Sequence, residues 1–83
     1  MNEQKASEVL ALVKEMCVTH TIEEVVNILS SEWERCYKKI AGTFNHVYLK
    51  SKCFANTRLL LHKGDYGTSV YISIVPNHWQ SSF

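Results

Sequence analysis

The sequence predicts an α+β domain in which two N-terminal helices pack on a three-stranded antiparallel meander. Apolar residues recur at helical spacing through the first half of the chain, and they alternate with polar residues in three later segments. A turn bounded by two glycines separates the last two of those segments. With 83 residues, the chain is predicted to form one domain, 1–83, that ends in a short C-terminal tail over 76–83.

The first helix is predicted over residues 3–18, where apolar side chains return every three or four positions. The residues that form this stripe are Ala6, Val9, Leu10, Val13, Met16 and Cys17. The connection to the next helix is very short. The two helices are therefore expected to be neighbours in space.

The second helix is predicted over residues 21–42. Thr21 and Glu24 have the spacing of a capping box, in which each side chain bonds the other residue's backbone N–H. An apolar stripe then continues for five turns, and Gly42 stands where a helix commonly terminates. We expect the other elements of the domain to pack against this helix.

Three strands are predicted after the helices, over 44–50, 57–63 and 68–75. The segment between the last two reads Gly64-Asp65-Tyr66-Gly67, which favours a hairpin, and Pro76 closes the last strand. The predicted core is Val9, Leu10, Val13, Met16, Val25, Val26, Leu29, Trp33, Tyr37, Val47, Leu49, Leu59, Leu61, Val70, Ile72 and Ile74. An alternative interpretation makes residues 46–55 a third helix with Asn45 as its N-cap, which would give the element order of a winged-helix domain.

Composition narrows the functional classes. A hydrophobic content of 46% with 20% charged residues excludes an intrinsically disordered chain. The longest apolar segment is too short to cross a bilayer, and the N-terminus lacks the pattern of a signal peptide. Three cysteines in three separate segments favour buried free thiols in a reducing compartment. We therefore expect a cytoplasmic protein without a membrane partner.

Candidate chemistry is sparse. Cys17 and His20 have the spacing of a zinc-ligand pair, and Cys36 and Cys53 could add thiolates, but no second close pair follows. Cys17 and Cys36 also fall on the apolar stripes, so core packing is the preferred interpretation. No phosphate-binding glycine loop or nucleophile motif is present. The sequence thus predicts neither an enzyme nor a metal or cofactor site.

The leading functional hypothesis is a small protein-interaction module. On the sheet face away from the helices, the strand pattern exposes large side chains of the kind that anchor interfaces. Together with the tail, the candidate partner-binding residues are Tyr48, Arg58, Leu60, Tyr71, Trp79 and Phe83. We expect an adaptor, regulator or inhibitor of a larger protein, which also self-associates as a homodimer. The tail residue Trp79 could act either as an anchor or as a lid over this face.

The alternative hypothesis is a small nucleic-acid-binding regulator. Residues 1–41 carry five basic and seven acidic residues, net −2, whereas residues 42–83 carry four basic residues against one aspartate, net +3. Those four cations, Lys50, Lys52, Arg58 and Lys63, would contact phosphates. The domain as a whole has a net charge of only +1, so ordinary solvated surface is the preferred explanation of the cations.

Overall fold

Two helices lead into an antiparallel sheet whose strands lie side by side in chain order. A computed structural model describes residues 1–36, 46–75 and 78–81, and within them the sheet has five strands in the order β1-β2-β3-β4-β5. The elements are α1 (Glu3–Thr19), α2 (Ile22–Leu29), β1 (Trp33–Cys36), β2 (His46–Ser51), β3 (Arg58–Gly64), β4 (Gly67–Val75) and β5 (His78–Ser81). The predicted α+β class is confirmed, with two strands more than expected.

Helix α1 agrees with its prediction. The Asn2 side chain caps it by accepting the backbone N–H of Lys5 at 2.8 Å. Its buried residues are Ala6, Leu10 and Val13, which follow the helical repeat and face the sheet. The sequence stripe therefore identified the buried side of this helix correctly.

Helix α2 is much shorter than predicted. It begins as expected: the Thr21 hydroxyl accepts the Glu24 N–H at 3.2 Å, and the Glu24 carboxylate accepts the Thr21 N–H at 3.0 Å. It ends at Leu29, because Ser30 bonds back to the Asn27 carbonyl through its hydroxyl at 2.7 Å and its N–H at 3.3 Å. Serine side chains compete in this way with the helical hydrogen-bond ladder.

Strand β1 occupies sequence that was predicted to continue that helix, so the prediction of a helix over 21–42 is wrong. Trp33–Cys36 pairs with β2, Trp33 opposite Ser51 and Cys36 opposite Tyr48. Lys52 fixes the residues that lead into β1. Its backbone N–H donates to the Glu32 carbonyl at 2.9 Å, and its ammonium donates to the Ser30 carbonyl at 2.8 Å. The predicted end of the helix, residues 37–42, lies outside the described residues.

The winged-helix alternative is wrong as well. Residues 46–51 form a strand that pairs with β1 on one side and β3 on the other. Strand β5 falls within the segment predicted as a tail, where Gln80 lies opposite Ile72 of β4. A short polar segment can form an edge strand because its backbone, more than its side chains, makes the pairing.

The β3–β4 hairpin is confirmed, and it turns through Asp65 and Tyr66 with Gly64 opposite Gly67. Gly67 has φ +123°, a conformation that side-chain-bearing residues rarely adopt.

Gly67→Ala should therefore lower the free energy of unfolding by about 1–3 kcal/mol through backbone strain alone. An added Cβ would meet no atom within 4 Å. Gly64→Ala is the matched control, because its φ is not positive and its Cβ would make an ordinary 3.6 Å contact with the Gly67 carbonyl. Urea denaturation compares the two variants, and equal losses would contradict the strain argument.

The core lies between the helices and the sheet face that we call the inner face. Its buried residues are Ala6, Leu10, Val13, Val25, Trp33, Val47, Leu49, Leu59, Leu61, Val70 and Ile72. Five predicted core residues are only partly buried around it: Val9, Met16, Val26, Leu29 and Ile74. Tyr37 lies outside the described residues, and Ala6 was not in the predicted core.

Candidate functional site

The sheet face opposite the helices, here called the outer face, carries most of the predicted site residues. Residues paired across antiparallel strands share a face, so the register identifies its members. They are Glu34 and Cys36 from β1, His46, Tyr48 and Lys50 from β2, Arg58, Leu60 and His62 from β3, and Ser69, Tyr71 and Ser73 from β4. The strand alternation thus sorted the two faces correctly.

An apolar row crosses the middle of the outer face. Tyr48 pairs with Leu60, and Leu60 pairs with Tyr71, so the three side chains adjoin one another across β2, β3 and β4. All three are half-buried. We call them the central row. Directly opposed side chains are close enough to pack, which gives the face a continuous apolar strip.

A basic pair lies on one side of the central row. Lys50 and Arg58 are directly opposite each other on β2 and β3, and both are exposed. Glu34 lies opposite Lys50 on β1, so the pair has one neighbouring carboxylate on the face. Like charges at directly opposed positions repel, and a carboxylate from another molecule would relieve that repulsion.

A histidine pair lies on the other side of the central row. His46 and His62 are cross-strand partners whose rings stack with centroids 4.1 Å apart and planes within 5°. The Nδ1 atom of His46 is buried and, among the residues that the structure describes, has no hydrogen-bond partner. Burial, with the nearby His62 as a second cause, holds the pKa of His46 below its ordinary value.

A cleft of about 560 Å³ lies where the α1–α2 turn meets one end of the sheet, and His46 belongs to both the cleft and the outer face. Its lining includes Cys17, His46 and Lys63, and an ion pair in which Arg35 donates to both Glu23 carboxylate oxygens, at 2.9 and 3.3 Å. Burial raises the pKa of the Cys17 thiol, which keeps it protonated and weakens it as a nucleophile. The cleft therefore mixes both signs of charge without an activated group.

Two other predicted site residues, both cations, lie away from the outer face. The Lys52 ammonium is bonded to the Ser30 carbonyl, just before β1. Lys63 is opposite Thr68 on the inner-face side of β3. The four cations of the nucleic-acid hypothesis do not form one surface. Trp79 belongs to β5, with its backbone opposite Ser73, and Phe83 lies outside the described residues.

Sequence reasoning missed two members of the site, Glu34 and Cys36, and it missed the contact between His46 and His62. Glu34 and Cys36 were assigned to a helix, so their place beside Lys50 and Tyr48 was not foreseen. The histidine contact was missed because alternation gives the face of each ring but not the register between strands. The β2–β3 register was the missing information.

The cysteines and potential metal ligands show one further correction. The three cysteines are free, but Cys53 is exposed, whereas Cys17 and Cys36 are half-buried. The expectation of three buried thiols is therefore wrong for Cys53, which lies in the β2–β3 loop. In the part of the chain that the structure describes, no three His, Cys, Asp or Glu side chains converge as metal ligands.

Over the described ranges, no helix combines the length and the apolar character needed to span a membrane. Searches against protein-family models, curated proteins and solved structures gave no match to this chain.

Proposed function

We propose that this chain is a small, cytoplasmic protein-interaction module that acts as an adaptor, regulator or inhibitor of a larger protein. Its outer face would bind a protein segment that presents apolar side chains flanked by carboxylates. The observation that carries the proposal is the central row of Tyr48, Leu60 and Tyr71 beside the basic pair of Lys50 and Arg58.

The arrangement of side chains supports a protein partner. Interfaces commonly have an apolar centre rich in tyrosine and a polar rim, and arginine is frequent among the residues that dominate affinity. On the outer face the apolar centre is the central row, and the exposed Lys50 and Arg58 form part of the rim. The three free cysteines fit a reducing compartment.

Charge favours an acidic partner over a second copy docked through the same face. Two outer faces brought together would each contribute Lys50 and Arg58 but, among the described residues of the face, a single carboxylate, Glu34. Repulsion between like charges at such a contact disfavours the homodimer. An acidic segment would instead pair its carboxylates with Lys50 and Arg58.

The test uses two short synthetic peptides with identical apolar residues, one carrying aspartates and the other lysines at the flanking positions. We expect the acidic peptide to bind by isothermal titration calorimetry, with affinity that falls as salt rises. Tyr71→Ala should weaken it by about tenfold or more, the effect of losing an interface anchor. Lys50→Glu/Arg58→Glu should abolish the preference for the acidic peptide.

A charge-matched control is Lys5→Glu/Lys63→Glu, which makes the same change in net charge at α1 and on the other face of the sheet. It should leave the affinity nearly unchanged. Failure to bind the acidic peptide, or equal binding of both peptides, would overturn the proposal. Tight binding of an oligothymidine probe would favour the nucleic-acid alternative, and a dimer in light scattering that Tyr71→Ala disrupts would favour self-association.

A further inference from the structure

We infer that the histidine pair makes the binding of an acidic partner to the outer face depend on pH, with affinity rising from about pH 7.5 to about pH 5.5. This inference rests on the proposed function. It identifies His46 and His62 as a pH-sensitive part of the same surface. The juxtaposition that carries it is a stacked histidine pair directly beside the central row.

The position of the pair gives it influence over a bound partner. His46 and His62 precede and follow the Tyr48–Leu60 pair by two residues along their strands, so they lie next to it on the same face. The basic pair lies the same distance away on the other side. When the histidines carry a proton, the central row therefore has positive charge on both sides.

The geometry of the pair favours the neutral state in the free protein. Parallel rings 4.1 Å apart cannot both be charged without strong repulsion. Within the described ranges, the buried Nδ1 of His46 also has no hydrogen-bond partner to stabilise a proton. In the folded protein, the pKa of His46 is accordingly lower than its ordinary value.

Among the described residues of the outer face, no acidic side chain adjoins the histidine pair. The neighbours of the pair on this face are Tyr48 on β2, Leu60 on β3, and Ser69 and Tyr71 on β4. The titratable and charged residues that line the cleft with His46 are Cys17, His20, Glu23, Glu24, Arg35 and Lys63. Their two carboxylates and two permanent cations balance in sign. A carboxylate from a partner would therefore be a new stabilising charge for the protonated pair.

Linkage of proton binding to folding and to partner binding gives the direction in which pH changes the stability and the affinity. For the free protein, a lowered folded pKa means that the unfolded chain binds the proton more readily, so stability is complete above the ordinary histidine pKa and falls as pH drops below it. For the complex, a partner carboxylate beside His46 raises the pKa of that histidine. Binding then takes up a proton, and affinity increases as pH falls.

The experiment measures the Kd of the aspartate peptide at about pH 7.5 and about pH 5.5, where its carboxylates stay ionised at both values. Wild-type protein should bind about fivefold or more tightly at the lower pH. His46→Gln/His62→Gln should bind with little pH dependence. The matched control is His20→Gln, which removes an exposed histidine of the α1–α2 turn and should keep the wild-type response.

A second measurement needs no substitution, so it tests the inference even where the double histidine variant does not fold. In the wild-type protein, NMR titration of the imidazole resonances should show that the pKa of His46 rises when the peptide is added. Binding at both pH values with equal affinity and an unmoved His46 pKa would overturn the inference and leave the proposed function standing. Absence of binding at both pH values would overturn the proposed function itself, and the inference with it.

Discussion

Trp33→Ala should lower the free energy of unfolding by about 3–5 kcal/mol, the range for removing a buried aromatic side chain. Trp33 is only 6% exposed and packs in the core from the first residue of β1. The loss combines the transfer free energy of the ring with the cavity left between sheet and helices. A small domain has a modest total stability, so much of the population should be unfolded.

Urea denaturation followed by far-ultraviolet circular dichroism measures this loss. Glu34→Ala is the matched control, since Glu34 is the next residue of the same strand but is exposed on the outer face. Its effect should stay within about 0.5 kcal/mol. Similar midpoints for the two variants would show that Trp33 does not occupy the core.

Leu61→Ala should cost about 2–5 kcal/mol. Leu61 is fully buried on β3, between Val47 of β2 and Val70 of β4. For a domain of this size each kcal/mol shifts the melting temperature by about 4–8 °C, so thermal denaturation should show a large decrease. The central strand has neighbours on both sides, which limits how far the cavity can collapse.

Leu60→Ala separates stability from binding. Leu60 precedes Leu61 in the same strand but is half-buried on the opposite face, in the central row. The same chemical change should cost much less stability there and should weaken the acidic peptide instead. If Leu60→Ala destabilised the fold as much as Leu61→Ala, and left the peptide affinity unchanged, the assignment of the two faces would be wrong.

The part of the fold that could be predicted depends on local signals. The β3–β4 hairpin has alternating segments on both sides of a glycine-bounded turn, and each cue acts within a few residues. The start of α2 is equally local, because Thr21 and Glu24 satisfy each other's backbone N–H groups. Such features need no knowledge of distant partners, so sequence reasoning located them well.

The end of α2 could not be predicted for a physical reason. Trp33 extends the apolar stripe at helical spacing, yet a strand buries the same side chain once β2 is available to pair with it. Pairing with a strand more than ten residues away overrides local propensity. Strand β5 illustrates the same limit, since the backbone of β4 provides its partner.

The sequence predicts on which sheet face each site residue lies, but not which residues are neighbours across the strands. Alternation placed Tyr48, Leu60 and Tyr71 together on one side, whereas the register decides that they adjoin. The β2–β3 loop joins the two strands in that register: the Ser51 hydroxyl accepts the N–H groups of Cys53 and Phe54, and Asn56 has φ 60°. Asparagine tolerates this conformation, but no simple sequence pattern predicts the register that results.

Helix α1 packs against β4, so the first element of the described chain finds its main partner among the last. During synthesis from the N-terminus, the apolar side of α1 must therefore wait, uncovered, until most of the domain has left the ribosome. A nascent chain interrupted before β4 would expose Leu10 and Val13 to the cell. Chaperone contact and proteolysis of such intermediates should therefore be most frequent just before β4 emerges.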